Sequence, residues 1–383
     1  MNLNFEVFII GGGINGAGIA RDSAGRGLKV GLAEKGKVGS ATSSWSTKLI
    51  HGGLRYLENY EFRLVRESLK ERNIIRNIAP SITSPLPFII PHTSKLRPIW
   101  LIKVGLYIYN LLAGKNSLPK SSKINIQKEY PEILKEEYRV GFKYFDLQVD
   151  DKKLVELNIN DAKNRGAKIF ENTEVIKTIR KKDYWEIHLS DDSIFTSKII
   201  INATGPWINN VSKKILDINS SNSIRLIQGS HLITKRLYKE DVAFTLQNID
   251  KRIIFIIPYK KKYTLIGTTE IEVNDPNNPK IKKSEIDYLL NCVNIYLKYP
   301  INKSNIVSTY SGIRPLIEDF KNNTSKITRD YAFEINTDNN LAPVLSIFGG
   351  KLTTYRKLSD RVMFSLKEYF PKMSKPWTHK NKL

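Results

Sequence analysis

Three glycines and one carboxylate near the start of the chain have the spacing of a dinucleotide site. Gly11, Gly13 and Gly16 follow the apolar run 5–10 and match the pattern G-x-G-x-x-G. The first glycine permits a tight turn, the second lets the backbone approach a pyrophosphate, and the third lets a helix pack on the strand. Glu34 comes about 20 residues later, where an acid accepts hydrogen bonds from ribose hydroxyls. This order of elements predicts a dinucleotide cofactor, NAD or FAD, rather than an ordinary βαβ unit.

A second glycine turn, near the end of the chain, favours FAD over NAD. The apolar run 343–348 leads into Gly349, Gly350 and Lys351, and a long helical segment follows to about residue 369. A helix N-terminus and a lysine at this place would stabilise the negative charge of a reduced flavin. Because FAD enzymes of this architecture use a late turn to hold the flavin, the two turns together predict FAD.

Two further segments carry groups that suit a flavin nucleotide. Residues 40–56 are rich in Ser and Thr hydroxyls and then carry His51 and Arg55. Hydroxyl and backbone N–H groups suit pyrophosphate oxygens, and arginine binds phosphate bidentately. The apolar run 198–202 ends in the small residues 203–205, which let a backbone turn lie against a cofactor. A plain turn at the end of a strand is the alternative for that segment.

Four cations stand at strand ends or in cofactor loops and are candidates to converge on one anion. They are Arg55, Arg314, Arg329 and Lys351. Taken singly, each of them would be interpreted as a surface salt-bridge residue in so basic a chain.

Charge and cysteine content restrict the class of protein. The chain has 383 residues, a formal net charge of +23 and one cysteine, Cys292. A single cysteine excludes a disulfide framework and fits a reducing cytoplasm, and the N-terminus lacks the pattern of a signal peptide. The lysines are scattered and no nucleic-acid motif is present, so no nucleic-acid partner is predicted. Compositional drift and attraction to an anionic membrane both remain as explanations of the charge.

The chain resembles the FAD-dependent, respiratory glycerol-3-phosphate dehydrogenase family. The likeness is carried by Gly11-Gly-Gly-Ile-Asn-Gly-Ala-Gly-Ile-Ala20 and by Thr42-Ser-Ser-x-Ser-Thr-Lys-Leu-Ile-His-Gly-Gly-Leu-Arg-Tyr-Leu-Glu58, and it runs to about Thr378. It implies oxidation of sn-glycerol 3-phosphate to dihydroxyacetone phosphate by hydride transfer from C2 to N5 of FAD, with electrons passed to a quinone. It also implies a cytoplasmic protein bound peripherally to the anionic inner face of the cytoplasmic membrane, with a homodimer as one option.

The resemblance also implies roles for individual residues. It assigns the substrate pocket to Arg55, Tyr56, Arg314, Arg329 and Lys351. It assigns FAD binding to Gly11, Gly13, Ile14, Asn15, Gly16, Glu34, Thr42, Ser43, Ser44, Thr47, Lys48, Leu49, His51, Gly52, Val175, Ala203, Thr204, Gly205, Gly350, Lys351, Leu352 and Thr353.

The oxidation needs a group that accepts the proton of the C2 hydroxyl. His231 is the preferred general base. Arg314 is the rival catalytic residue, although a guanidinium is almost always protonated. The remaining histidines outside the cofactor segment, His92, His188 and His379, show no metal-ligand spacing, so no metal site is predicted.

The pattern of elements predicts an α/β protein, α+β overall, in which a two-dinucleotide, Rossmann-like FAD-binding domain carries a mixed-sheet cap that binds substrate. The FAD-binding domain is assigned to residues 1–80, 145–222 and 306–372. The cap is assigned to residues 81–144 and 223–305, and residues 373–383 form a tail. Within the cap, the proline-rich segment 79–98 is expected to hold one short strand, 88–90, and the apolar run 100–113 a buried or interfacial helix.

Departures from the family pattern keep other functions open. Gln228 stands where a lysine is expected and Glu270 where an aspartate is expected, and both should affect pocket electrostatics. Family members also carry a further helical C-terminal region after the part that corresponds to this sequence. A catalytically impaired FAD-binding relic and a flavin oxidase that uses oxygen are therefore the alternatives.

Overall fold

The computed structural model describes residues 3–94, 96–114, 118–319, 326–328 and 331–383. Arg329, one of the predicted substrate residues, lies outside this part. The strands β1 to β19 in chain order are Phe5–Ile10, Val30–Glu34, Leu49–Ile50, Thr83–His92, Ser122–Asn125, Val140–Val149, Lys168–Glu171, Val175–Arg180, Trp185–Leu189, Ile194–Asn202, Ser223–Lys235, Ala243–Gln247, Ile253–Tyr259, Tyr263–Gly267, Ile271–Val273, Ile306–Asp319, Lys326–Thr328, Tyr331–Asn336 and Val344–Gly349. The helices α1 to α8 are Ile14–Gly25, Phe62–Ile78, Ile99–Ala113, Ile126–Glu129, Asp151–Asn164, Ile208–Lys214, Lys283–Asn294 and Tyr355–Ser365.

The first sheet is built around β1, which pairs in parallel with β2 and with β10. Its strand order is β18-β19-β10-β1-β2-β7, and β9 and β8 extend it from β10. Val7 and Ile9 of β1 are fully buried in one core with Leu154 of α5 and Leu358 of α8. β10 is also parallel to β19. Because β1, β2, β10 and β19 run in the same direction, the segments that follow them meet at one edge of the sheet.

The second sheet is mainly antiparallel and has the order β17-β16-β11-β14-β13-β12-β4-β6-β3. Its two faces are covered differently, as the alternation of side chains along a strand allows. Phe244 and Ile256 on one face pack in a cluster with Leu289 of α7. Phe88 on the other face packs in a cluster with Leu106 of α3. The part of this second face that α3 leaves uncovered is turned toward the first sheet.

One expectation about a strand needs correction, and one strand pairing crosses the predicted division into domains. Residues 306–319, assigned to the FAD-binding domain from the sequence, form β16 and pair along almost the whole length of β11 in the second sheet. The short strand expected at 88–90 is the ten-residue β4. Pro85 and Pro87 are tolerated because that half of β4 is hydrogen-bonded in register with β6, whereas the register with β12 covers Phe88 and Ile89. The boundaries of the two domains stay a prediction.

The apolar run 100–113 forms the helix α3. Its Leu106 and Tyr109 are buried, whereas Trp100 is 65% and Tyr107 70% exposed. None of the helices in the described part of the chain combines the length and the apolar character needed to cross a bilayer.

Candidate active site

A cavity of about 580 Å³ lies where the edge of the first sheet faces the second sheet. One side, which we call the turn wall, is made of residues from the segments 10–15, 33–35, 203–207 and 349–353. The opposite side, which we call the strand wall, is made of Gly229, Phe255, Thr268, Gly312 and Arg314. Residues from the segment 41–56 line the cavity between the two walls.

The first glycine turn of the turn wall is closely packed. Gly11 has a φ of +106°, and a Cβ atom there would lie 2.8 Å from the carbonyl oxygen of Ala203. A Cβ atom on Gly16 would collide with the carbonyl oxygen of Gly11, so the helix α1 packs on the turn as the spacing predicted. The Glu34 carboxylate accepts hydrogen bonds from the Gly12 N–H at 2.7 Å and the Gly36 N–H at 3.0 Å. Glu34 therefore supports the turn as well as lining the cavity.

The second glycine turn is joined to the first. The Asn15 Nδ2 group, in the first turn of α1, donates to the Gly349 carbonyl at 3.2 Å. Gly350 has a φ of +98°, and a Cβ atom there would lie 2.7 Å from Asn15 Nδ2. Both helix N-termini thus approach the cavity with small residues in front of them. This arrangement fits an extended dinucleotide such as FAD, because helix N-termini bind phosphate and stabilise negative charge.

Most predicted cofactor residues line the cavity. They are Gly11, Gly13, Ile14, Asn15, Glu34, Thr42, Ser43, Thr47, Leu49, His51, Val175, Ala203, Thr204, Gly205, Gly350, Lys351, Leu352 and Thr353. Four predicted residues lie behind this surface instead: Gly16 packs on Gly11, Ser44 donates to the Gly39 carbonyl, Lys48 pairs with Asp151 at 2.7 Å, and Gly52 donates to the Tyr109 hydroxyl at 2.9 Å.

Of the three predicted cations that the structure describes, Arg314 and Lys351 reach the cavity. Arg314 Nη2 donates to Thr268 Oγ1 at 2.9 Å, and its Nη1 lies 3.6 Å from a carboxylate oxygen of Glu270. Lys351 Nζ lies 4.2 Å from the centre of the Tyr56 ring, and both residues line the cavity. Arg55 is exposed and lies away from the cavity lining. The structure therefore brings Arg314, Lys351 and Tyr56 to one cavity and leaves Arg55 outside it.

The two departures from the family pattern have different surroundings. Glu270 touches Arg314 and so affects the electrostatics of the cavity, as expected. Gln228 is buried and donates to Glu285 of α7 at 3.0 Å. Because neighbouring residues of a strand point to opposite faces, Gln228 lies on the α7 side of the sheet while Gly229 lines the cavity.

His231 is buried one layer behind the cavity. Its ring stacks on Tyr310 with the centres 4.7 Å apart, and Nε2 lies 3.1 Å from Thr47 Oγ1. Burial, together with the nearby charges of Arg314 and Lys48, holds the pKa of His231 well below its ordinary value of 6.5. The imidazole is therefore neutral near pH 7, and Thr47 stands between it and the cavity.

Several lining residues were not predicted from the sequence. Phe255, Thr268, Gly229 and Gly312 come from strands or strand ends of the second sheet, and Trp45 comes from the hydroxyl-rich segment. Alternation along β11 places Gly229 on the same face as His231. Phe255 can be placed on that face only when the register of β13, β14 and β11 is known. Within the described ranges, no group of three or more His, Cys, Asp or Glu residues is placed to hold a metal ion.

Comparison with known proteins places this chain in a family. A model of the FAD dependent oxidoreductase family matches residues 6–356. A glycerol-3-phosphate dehydrogenase of Pseudomonas tolaasii is 47% identical over 99% of this chain and 74% of its own length. A D-erythritol 1-phosphate dehydrogenase of Brucella abortus is 44% identical over 98% of this chain and 76% of its own. The solved structure of a Bacillus halodurans glycerol-3-phosphate dehydrogenase complexed with FAD matches with a TM-score of 0.76 and 26% identity, covering 98% of this chain and 67% of that one. These matches confirm the predicted fold class and FAD.

Proposed function

Because the chain belongs to the FAD-dependent glycerol-3-phosphate dehydrogenase family, we propose that it oxidises sn-glycerol 3-phosphate to dihydroxyacetone phosphate. One observation carries the proposal: Arg314 and Lys351 line the same cavity as the two glycine turns. Guanidinium and ammonium groups bind phosphate strongly. A phosphorylated alcohol bound by them would therefore lie beside the cofactor.

Five residues in or directly behind the cavity lining have distinct parts in the proposed reaction. When bound, FAD supplies the acceptor for the two electrons and the hydrogen that leave the alcohol carbon. Arg314 and Lys351 bind and orient the phosphate, and the Tyr56 ring supports Lys351 through a cation–π contact. His231, neutral at pH 7, accepts the hydroxyl proton through the Thr47 hydroxyl, which touches its Nε2. Arg314 stays protonated, so its catalytic role is electrostatic.

We also propose that electrons pass on to a quinone at the inner face of the cytoplasmic membrane. The exposed side of α3 carries Trp100, Val104, Tyr107 and Leu111. A helix with such a face lies in the lipid interface, and a net charge of +23 adds attraction to anionic lipid. Sedimentation with phosphatidylglycerol vesicles tests the membrane contact. Wild type should pellet with the vesicles, and a Trp100→Ser/Leu111→Ser variant should stay in the supernatant. Equal pelleting of both would reject α3 as the contact. A homodimer stays a prediction.

Turnover with a quinone analogue tests the proposed reaction itself. Purified protein with FAD and glycerol 3-phosphate should form dihydroxyacetone phosphate while the analogue is reduced. Hydrogen peroxide formed from oxygen at the same rate would identify an oxidase instead. Bound FAD without any product would identify a catalytically impaired relic.

A further inference from the structure

Four adjacent strands of the second sheet place one residue each in a single row across the cavity side. Phe255 of β13 is opposite Gly267 of β14, Gly267 is opposite His231 of β11, and His231 is opposite Tyr310 of β16. Residues directly opposite each other point to the same face of a sheet. Phe255, His231 and Tyr310 therefore share the face that contains the strand wall.

Gly267 has no side chain and so leaves a gap in this row. A Cβ atom there would lie 2.8 Å from His231 Cγ and 2.9 Å from His231 Nε2, so the imidazole leans over the glycine. Phe255 lines the cavity, whereas His231 is only 1% exposed. The phenyl ring is thus the large apolar group of the row that a ligand in the cavity meets.

The Phe255 ring is held in place from behind. It packs edge-on against Phe88, with the ring centres 6.0 Å apart and the planes at 82°. Phe88 is 1% exposed and stacks in turn on Tyr144 at 5.3 Å. Because interiors are close-packed, a ligand that needs more room cannot push this ring back without disturbing two buried aromatic residues. Phe255 is therefore a firm boundary of the cavity.

The Arg314 cation lies beside the same gap. Its guanidinium reaches back from β16 across β11, where a Cβ atom on Gly229 would collide with Nη2. It donates to Thr268, the residue directly after Gly267. The cation, the imidazole and the phenyl ring therefore surround Gly267 and Thr268. A substrate with its phosphate on Arg314 and its hydroxyl group toward Thr47 and His231 would lie beside this part of the strand wall, which includes Phe255.

We propose that Phe255 limits the carbon-chain length of the polyol phosphate, so that a three-carbon substrate fits and a four-carbon one is disfavoured. This rests on the proposed function and names a residue that decides its substrate. The length of the substrate differs among similar proteins, since one relative is named for a three-carbon phosphate and another for a four-carbon phosphate. One carbon unit changes discrimination by roughly 10- to 200-fold in a shaped pocket.

The test compares kcat/KM for glycerol 3-phosphate and D-erythritol 1-phosphate in wild type and in Phe255→Leu. Wild type should prefer the three-carbon substrate. Phe255→Leu should move the ratio toward the four-carbon substrate by about tenfold or more. The gain should lie mainly in a lower KM for the longer substrate, and calorimetric binding of both phosphates should show the same change in affinity.

Phe244→Leu is the matched control, because it removes a buried ring from the same sheet on the face that packs against α7, outside the cavity lining. It should leave the substrate ratio as in wild type. An unchanged ratio in Phe255→Leu, an equal change in Phe244→Leu, or a wild type that prefers the four-carbon substrate would overturn the inference while leaving phosphate oxidation intact. A wild type that neither binds nor oxidises either phosphate would overturn the proposed function as well.

Discussion

The turn wall and the strand wall of the cavity are built in different ways. In the turn wall, a strand, a glycine turn and a helix N-terminus follow one another within about a dozen residues, as at 5–16 and 344–355. In the strand wall, Gly229, Phe255, Thr268 and Arg314 come together through the pairing of β11, β13, β14 and β16. The first wall depends on local backbone geometry, and we propose that it binds the cofactor. The second depends on strand register, and we propose that it binds the substrate. Variants in the turn wall should therefore lose FAD binding, whereas variants in the strand wall should keep FAD and lose substrate oxidation.

The largest effect is expected for Gly16→Ala in the turn wall. The added methyl group would collide with the Gly11 carbonyl, so helix and turn must separate. We expect FAD binding to weaken by at least about a hundredfold, since close backbone approach to the pyrophosphate is lost. The flavin absorbance retained after gel filtration measures this.

Gly105→Ala is the control for that prediction. Gly105 also lies in a helix, α3, but a Cβ atom there meets nothing within 4 Å. Alanine should leave FAD binding unchanged and stabilise the helix by up to about 1 kcal/mol. Equal FAD retention in both variants would contradict the claim that the turn needs Gly16.

Arg314→Met should show the opposite behaviour, with full FAD content but little oxidation. Loss of a charged phosphate contact costs several kcal/mol, so kcat/KM for glycerol 3-phosphate should fall by about a hundredfold. Steady-state kinetics measure this. Arg252→Met, at an arginine that is paired with Asp250 outside the cavity, should change kcat/KM less than twofold. Loss of flavin in Arg314→Met would show that the two walls do not act separately.

The effect of pH follows from the depressed pKa of His231. Because that pKa lies well below 6.5 in the folded protein, the base stays neutral and kcat/KM should be flat from pH 8 to 6.5. Activity should fall as the pH drops through the folded pKa. The unfolded chain binds the extra proton first, so the free energy of unfolding should also decrease as the pH falls below 6.5.

Flavin reduction rates and thermal unfolding between pH 5 and 8 would check both statements. His188→Gln, at a histidine paired with Glu186 away from the cavity, should leave the activity profile unchanged. A loss of activity already between pH 8 and 7 would argue against a neutral His231 as the base.

The smallest effect is expected for Tyr56→Leu. It removes the ring under Lys351 and so a cation–π contact worth about 0.5–2 kcal/mol. KM for glycerol 3-phosphate should rise roughly two- to thirtyfold, with kcat nearly unchanged. Tyr60→Leu is the control, since Tyr60 is 80% exposed and should have no effect on KM in a soluble assay.

The same contrast explains what could be predicted from the sequence. Gly11, Gly16 and Gly350 were identified because their spacing is imposed by local geometry, and the structure places them as expected. Arg55 was expected in the substrate pocket because it belongs to the family motif 42–58, yet its side chain is exposed. Sequence position does not give the direction of a side chain in a short 3-10 turn such as 54–59.

The strand wall was harder to predict for a physical reason. A shift of one residue in strand register reverses the face of every side chain. Phe255 and Gly229 acquire meaning only once β11 is aligned with β14 and β16. In the same way, the Lys48–Asp151 pair, which joins residues 103 positions apart, has no signal in the local sequence.

An anaerobic titration with glycerol 3-phosphate and with glycerol tests most directly whether the cations of the cavity hold a phosphate beside FAD. Both alcohols offer the same oxidisable carbon, but only one carries the phosphate. The flavin absorbance should bleach with glycerol 3-phosphate and stay unchanged with glycerol at the same concentration. Bleaching by both to the same extent, or by neither, would contradict the assignment of Arg314 and Lys351 to phosphate binding.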